Sequence, residues 1–123
     1  MDVSPHLLPA LGIGLFIIAM AWMMWGIARA ATKGMAVNPS MGIRLPSLMR
    51  DEAAWRAGHE AAVPAFFWSA LVTTVPAALS VLVSADEALY AGLLVVSAVA
   101  LTLGSSLACL AAHRAARRAP LDE

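Results

Sequence analysis

Three long apolar runs, separated by one polar island and one short polar turn, set the plan of this chain. Leu7 to Ala28 carries no Asp, Glu, Lys, Arg or His, and neither does Ala61 to Ser84 or Ala88 to Ala112. At 1.5 Å of rise per residue, about 22 residues of helix cover roughly 33 Å, enough for a hydrocarbon core of about 30 Å. Inside lipid the backbone must bond within its own segment, and no run alternates as a strand would, so each predicts a helix. The expected fold is all-α, a single membrane domain over 1–123 with three transmembrane helices at about 7–28, 61–84 and 88–112. The loop, about 30–60, is too short to build a soluble core of its own. Residues 113–123 form a tail. Met1 to His6 holds no Lys or Arg, whereas a signal peptide begins with a positive segment and has a shorter apolar core, so the first run reads as a retained helix.

About three residues join the second and third runs, which makes them an antiparallel hairpin. Small residues recur at every fourth position in both: Ala61, Ala65, Ser69, Thr73 and Ala77 in the second, Ala100, Gly104, Ala108 and Ala112 in the third. This spacing lets helix backbones approach closely in lipid, with Leu and Val turned outward. Pro64 and Pro76 each remove a donor and can kink the second helix. Trp22 and Trp25, and Tyr90 in the third run, read as aromatics at the membrane interfaces.

Charge adds an orientation. Arg29, Lys33, Arg44, Arg50 and Arg56 lie in the first connection and Arg114, Arg117 and Arg118 in the tail, which accounts for all 8 basic residues although the net charge is zero. Cytoplasmic segments collect Lys and Arg, so the N-terminus is expected outside and the loop and C-terminus inside. Arg29, Lys33, Arg114, Arg117 and Arg118 are then placed for anionic lipid headgroups of the cytoplasmic leaflet. No ionisable residue lies in the middle of a span, which counts against a pump or carrier acting alone. No nucleophile stands beside a base and an orienting acid, and there is no Gly-rich phosphate loop, so no catalytic residue is expected. His59, Cys109 and His113 match no metal spacing, and Cys109 is the single cysteine; neither metal nor cofactor is expected. The tail is too weakly charged for nucleic acid.

The island from Asn38 to His59 holds the remaining chemistry. Asn38-Pro39 starts a turn, and Gly42 permits a conformation that other residues avoid. Arg44, between Ile43 and Leu45, can dip its stem into the interface or fork onto a carboxylate or helix-terminal carbonyls. Pro46-Ser47 reads as a helix start with Ser47 as N-cap and Asp51 and Glu52 in the early turns. Glu52, Arg56 and Glu60 form a solvated ladder. Trp55 and His59 share a face. They form either a recognition patch beside Arg44, or an interfacial anchor and a packing contact.

Asn38, Gly42-Ile43-Arg44, Pro46, Trp55 and His59 together resemble the signature of the SdpI family of small bacterial membrane proteins, which also lies between the first two of three spans. Leu45 departs from the pattern, which usually has Thr there. The resemblance implies a non-enzymatic, multi-pass protein of the bacterial cell membrane. Its founding member confers immunity to a secreted peptide toxin and tethers a transcriptional repressor. On that reading Asn38, Gly42, Ile43, Arg44, Pro46, Trp55 and His59 bind a protein partner, cytosolic or in a larger membrane complex. The alternatives are an accessory subunit that packs against and stabilises such a complex, and a small oligomeric transporter or channel.

Overall fold

The computed structural model describes residues 4–38 and 40–121. Three α-helices make up most of it: α1 is Leu7–Thr32, α2 is Glu52–Leu82 and α3 is Glu87–Arg118. A single turn of 3-10 helix, Leu48–Arg50, precedes α2. Among the described residues there is no strand, and all three helices are long and apolar enough to cross a membrane. α2 is the central element. It packs along both α1 and α3, while α1 and α3 meet each other far less.

Each helix outlasts the apolar run that announced it, because helix and hydrocarbon end for different reasons. α2 has 31 residues and is therefore roughly 46 Å long, against a core of about 30 Å. The predicted span at 61 and the short helix before it are one continuous rod. Its cap corrects the sequence reading. Ser47 has helical dihedrals and makes no cap bond, whereas Asp51 is extended (φ −165°) and accepts from the Ala54 N–H. The Leu48 N–H bonds back to the Leu45 carbonyl and closes the 3-10 turn, so the true helix start falls at the extended residue behind it. α2 runs unbroken through Pro64 and Pro76.

The helices meet through small residues, as the spacing anticipated, but along a drifting line. Ser69, Thr73 and Ala77 of the expected ladder are buried on α2, while Ala62 and Phe66 replace Ala61 and Ala65 nearer the loop. A strict four-residue step turns about 40° further round a 3.6-residue helix each time, so a long contact must mix steps of three and four. At Gly104 of α3 a β-carbon would overlap the Ser69 side chain. The Ser97 hydroxyl donates to the Thr73 carbonyl across the same seam, at 2.8 Å. Val72, Val75, Val95, Val96, Val99, Leu103 and Leu107 point outward.

Two aromatics do more than line an interface. The Trp22 indole N–H donates to Thr74 Oγ1 at 3.0 Å, and its ring meets Trp25 and Phe67 edge to face. This ties α1 to α2. Tyr90 stacks on His6 at 5.2 Å at the end opposite the loop. There the Ser4 hydroxyl donates to the Ser84 carbonyl, and Asp86 caps α3 by accepting from the Leu89 N–H.

Gly104→Ala forces a methyl group into Ser69 and should lower stability by about 1–2 kcal/mol, overpacking outweighing the better helix propensity of Ala. Gly92→Ala, which meets nothing within 4 Å, should be neutral or stabilising. Denaturant titration in detergent micelles, followed by circular dichroism, checks both.

Candidate functional site

Apart from the Leu48–Arg50 turn, the described residues between α1 and α2 form no regular secondary structure to satisfy their backbone, and the first turns of α2 do that work instead. Glu52, Trp55 and His59 project from one face of α2, three and four residues apart. Glu52 Oε1 accepts from the Val37 N–H at 3.3 Å. The Trp55 indole N–H donates to the Met35 carbonyl at 2.9 Å. His59 Nε2 accepts from the Ile43 N–H at 3.0 Å. Because Nε2 accepts, the ring proton is on Nδ1, which donates to the Trp55 carbonyl at 2.8 Å. The ring is thus neutral with a fixed tautomer; adding a proton at Nε2 would set it against the Ile43 N–H. Glu52 was expected to spend itself on a solvated ladder with Arg56 and Glu60, but its carboxylate holds the loop.

Trp55 and His59 are 1% and 0% exposed, with ring centroids 4.2 Å apart. Of the two readings left open by the sequence, the packing contact describes their position: both face inward against the loop. Gly42 explains the tightness. Its φ is +94°, and a β-carbon there would lie 2.6 Å from the Trp55 ring and 2.9 Å from His59 Nε2. The position therefore excludes side chains twice, by conformation and by space. Asn38 shapes the approach: its side-chain oxygen accepts from the Ser40 and Met41 N–H groups and its amide donates to the Ala36 carbonyl, an Asx turn. Pro39, the other half of that expected turn signal, lies outside the described residues.

Sequence reasoning missed three residues here. Leu48 is completely buried and packs on Gly58, where a β-carbon would clash with it and approach the Ala112 carbonyl at 3.1 Å. A glycine inside a helix costs about 1 kcal/mol relative to Ala, so its presence between Trp55 and His59 was a signal of close packing. Arg50 is the third. Its guanidinium pairs with Asp51 at 2.8 Å and donates to the carbonyls of Ala116, Ala119 and Pro120. Arg50 thus forks onto a carboxylate and helix-terminal carbonyls, and it neutralises the negative end of α3. The Ser47 hydroxyl, free of any cap, shares a 2.7 Å hydrogen bond with His113 Nδ1. His59 and His113 are thus committed to different partners.

What remains at the surface is mixed in character. Met41, Arg44, Pro46, Met49 and Arg50 are exposed on the loop side. Arg29 is exposed with its guanidinium 5.3 Å from the Trp25 ring, while Lys33 and the α3 residues Arg114, Arg117 and Arg118 are exposed nearby. Beneath Gly42–Leu45 lies a cavity of about 370 Å³, bounded by α1, α2 and α3.

Gly42→Ala should cost about 2–4 kcal/mol, combining backbone strain with the clash. Gly34→Ala, also at positive φ (+114°) but with nothing within 4 Å, should cost only about 1 kcal/mol, the conformational part alone. Trypsin cleavage after Arg44 in detergent micelles reads the difference, faster in the first variant than in the second.

Comparison with curated proteins finds no match, and comparison with solved structures finds none. The profile of the SdpI/YfhL protein family matches residues 35–107. The match opens at Met35, whose carbonyl receives Trp55, and runs through the loop, all of α2 and most of α3. Since it covers more than half its length, the chain belongs to the SdpI/YfhL protein family.

Proposed function

We propose that the chain is a non-enzymatic, multi-pass protein of the bacterial cell membrane, with its loop in the cytoplasm offering a pre-shaped surface to a protein partner in an immunity or signal-receptor role. The observation that carries this reading is the locked loop: three side chains of α2 hold its backbone. Such rigidity lowers the ordering cost of binding. On this reading Asn38, Gly42, Trp55 and His59 shape the surface from behind, while Ile43, Arg44 and Pro46, with Met41 and Met49, meet the partner. Methionine side chains adapt to irregular surfaces, and arginine supplies charge-directed bonds. The basic residues around the loop favour the cytoplasmic side, where Arg29, Lys33, Arg114, Arg117 and Arg118 would lie against anionic headgroups.

A second reading, an accessory subunit of a larger membrane complex, is favoured by a shallow apolar groove between α2 and α3. Trp68, Val72, Val99 and Leu103 line it, with the Ser69 hydroxyl buried and unpartnered beside it.

A tagged copy recovered from native membranes should bring down a partner identifiable by mass spectrometry. Arg44→Ala should reduce that recovery at least about tenfold, as expected for an arginine in a hot spot. Trp55→Ala should lose the partner through disorder of the loop. Recovery unchanged in both variants would contradict the reading. Native-gel migration of the mild-detergent extract separates the second reading, which requires a large complex that survives Arg44→Ala.

A further inference from the structure

The cavity beneath the loop exists because α1 and α3 flank α2 without closing on each other. They touch where Ser105 Oγ meets Met24 Sδ at 3.6 Å. Met24 and Ile27 of α1 form one wall, Cys109 of α3 the other, Phe66 and His59 of α2 the back, and Gly42–Leu45 the end. From His59 to Phe66 is seven residues, or roughly 10 Å along the helix axis. The void thus extends from the polar loop into the apolar part of the bundle.

The inner lining offers few free polar groups: both ring nitrogens of His59 and the Ile43 N–H already bond each other or the backbone. The lining is mainly apolar and includes one fixed positive charge, Arg44. A void of about 370 Å³ holds about a dozen non-hydrogen atoms at roughly 30 Å³ each. From these observations we propose that the cavity binds an anionic amphiphile, one acyl chain lying between α1 and α3 and a carboxylate or phosphate head against Arg44. This ligand is distinct from the protein partner proposed above and does not depend on it. It requires only the cavity and the charge at its mouth.

Cys109, half-buried in the wall, is a built-in reporter. In phosphatidylcholine nanodiscs, the rate of Cys109 alkylation by N-ethylmaleimide is measured alone, with added laurate, with phosphatidylglycerol doped into the disc, and with dodecanol. Protection by laurate or phosphatidylglycerol is the expected result, and which of them protects identifies a free fatty acid or a membrane lipid as the source. Dodecanol should need about tenfold more for equal protection, the worth of one charge-assisted bond. Arg44→Gln should erase that preference, and Met24→Trp, which fills the space, should abolish protection. Ile27→Cys in a Cys109→Ser background gives the same reading from the opposite wall if Cys109 itself reacts too slowly. Equal protection by dodecanol and laurate, or none by either anionic ligand at both reporter positions, overturns the proposal. So does protection without any ligand in a disc holding two copies, which would make a second chain the occupant.

Discussion

A loop folded against a membrane helix cannot leave its amides and carbonyls unpaired, and here the bond from the Ile43 N–H to His59 Nε2 is the point on which the arrangement turns. A buried polar group without a partner costs about 1–3 kcal/mol. The described residues from Lys33 to Ser47 form no helix or strand that could meet that demand internally. The solution is to let α2 project beyond the hydrocarbon core and offer Glu52, Trp55 and His59 as surrogate backbone partners. Two of these three are essentially buried, so the bonds they make are shielded from competing water. Gly42 and Gly58 follow as consequences: the loop and the Leu48 turn can reach α2 this closely only where no side chain intervenes.

The same centrality of α2 organises the membrane part. Both other helices are tied to it, α3 through the small residues Ser97 and Gly104 and α1 through the Trp22–Thr74 bond. Neither α1 nor α3 has much left for the other, and the gap between them is roofed by the loop. The loop and the cavity are therefore one structural fact seen from two sides, linked through Gly42, Ile43 and His59, which belong to both.

Much of this was legible in the residues. Lipid removes every alternative to helix in a charge-free run of membrane length, so the three spans and the α2–α3 hairpin could be read directly. The shared face of Trp55 and His59 was also readable, because helical spacing fixes it. Its direction was not, since an indole and an imidazole suit a wet surface and a buried hydrogen bond equally well, and only the partners, Met35 and Ile43, decide. Ser47 and Asp51 are both good caps, and the 3-10 turn between them, which moves the helix start, left no local signal. Arg50 gave no local signal of its role, because the carbonyls of Ala116 and Pro120 that it reaches are distant in sequence and brought close only by folding. Gly58 did carry a readable signal, the cost of glycine inside a helix, and it marked the tightest packing of the island.

The most direct measurement is the nitrogen-15 NMR spectrum of the His59 ring in the protein reconstituted in bicelles at neutral pH. The account requires a neutral ring with its proton on Nδ1, an unprotonated Nε2, and a coupling from Nε2 to the Ile43 amide. A ring protonated at Nε2, or one with no coupling to Ile43, would contradict it.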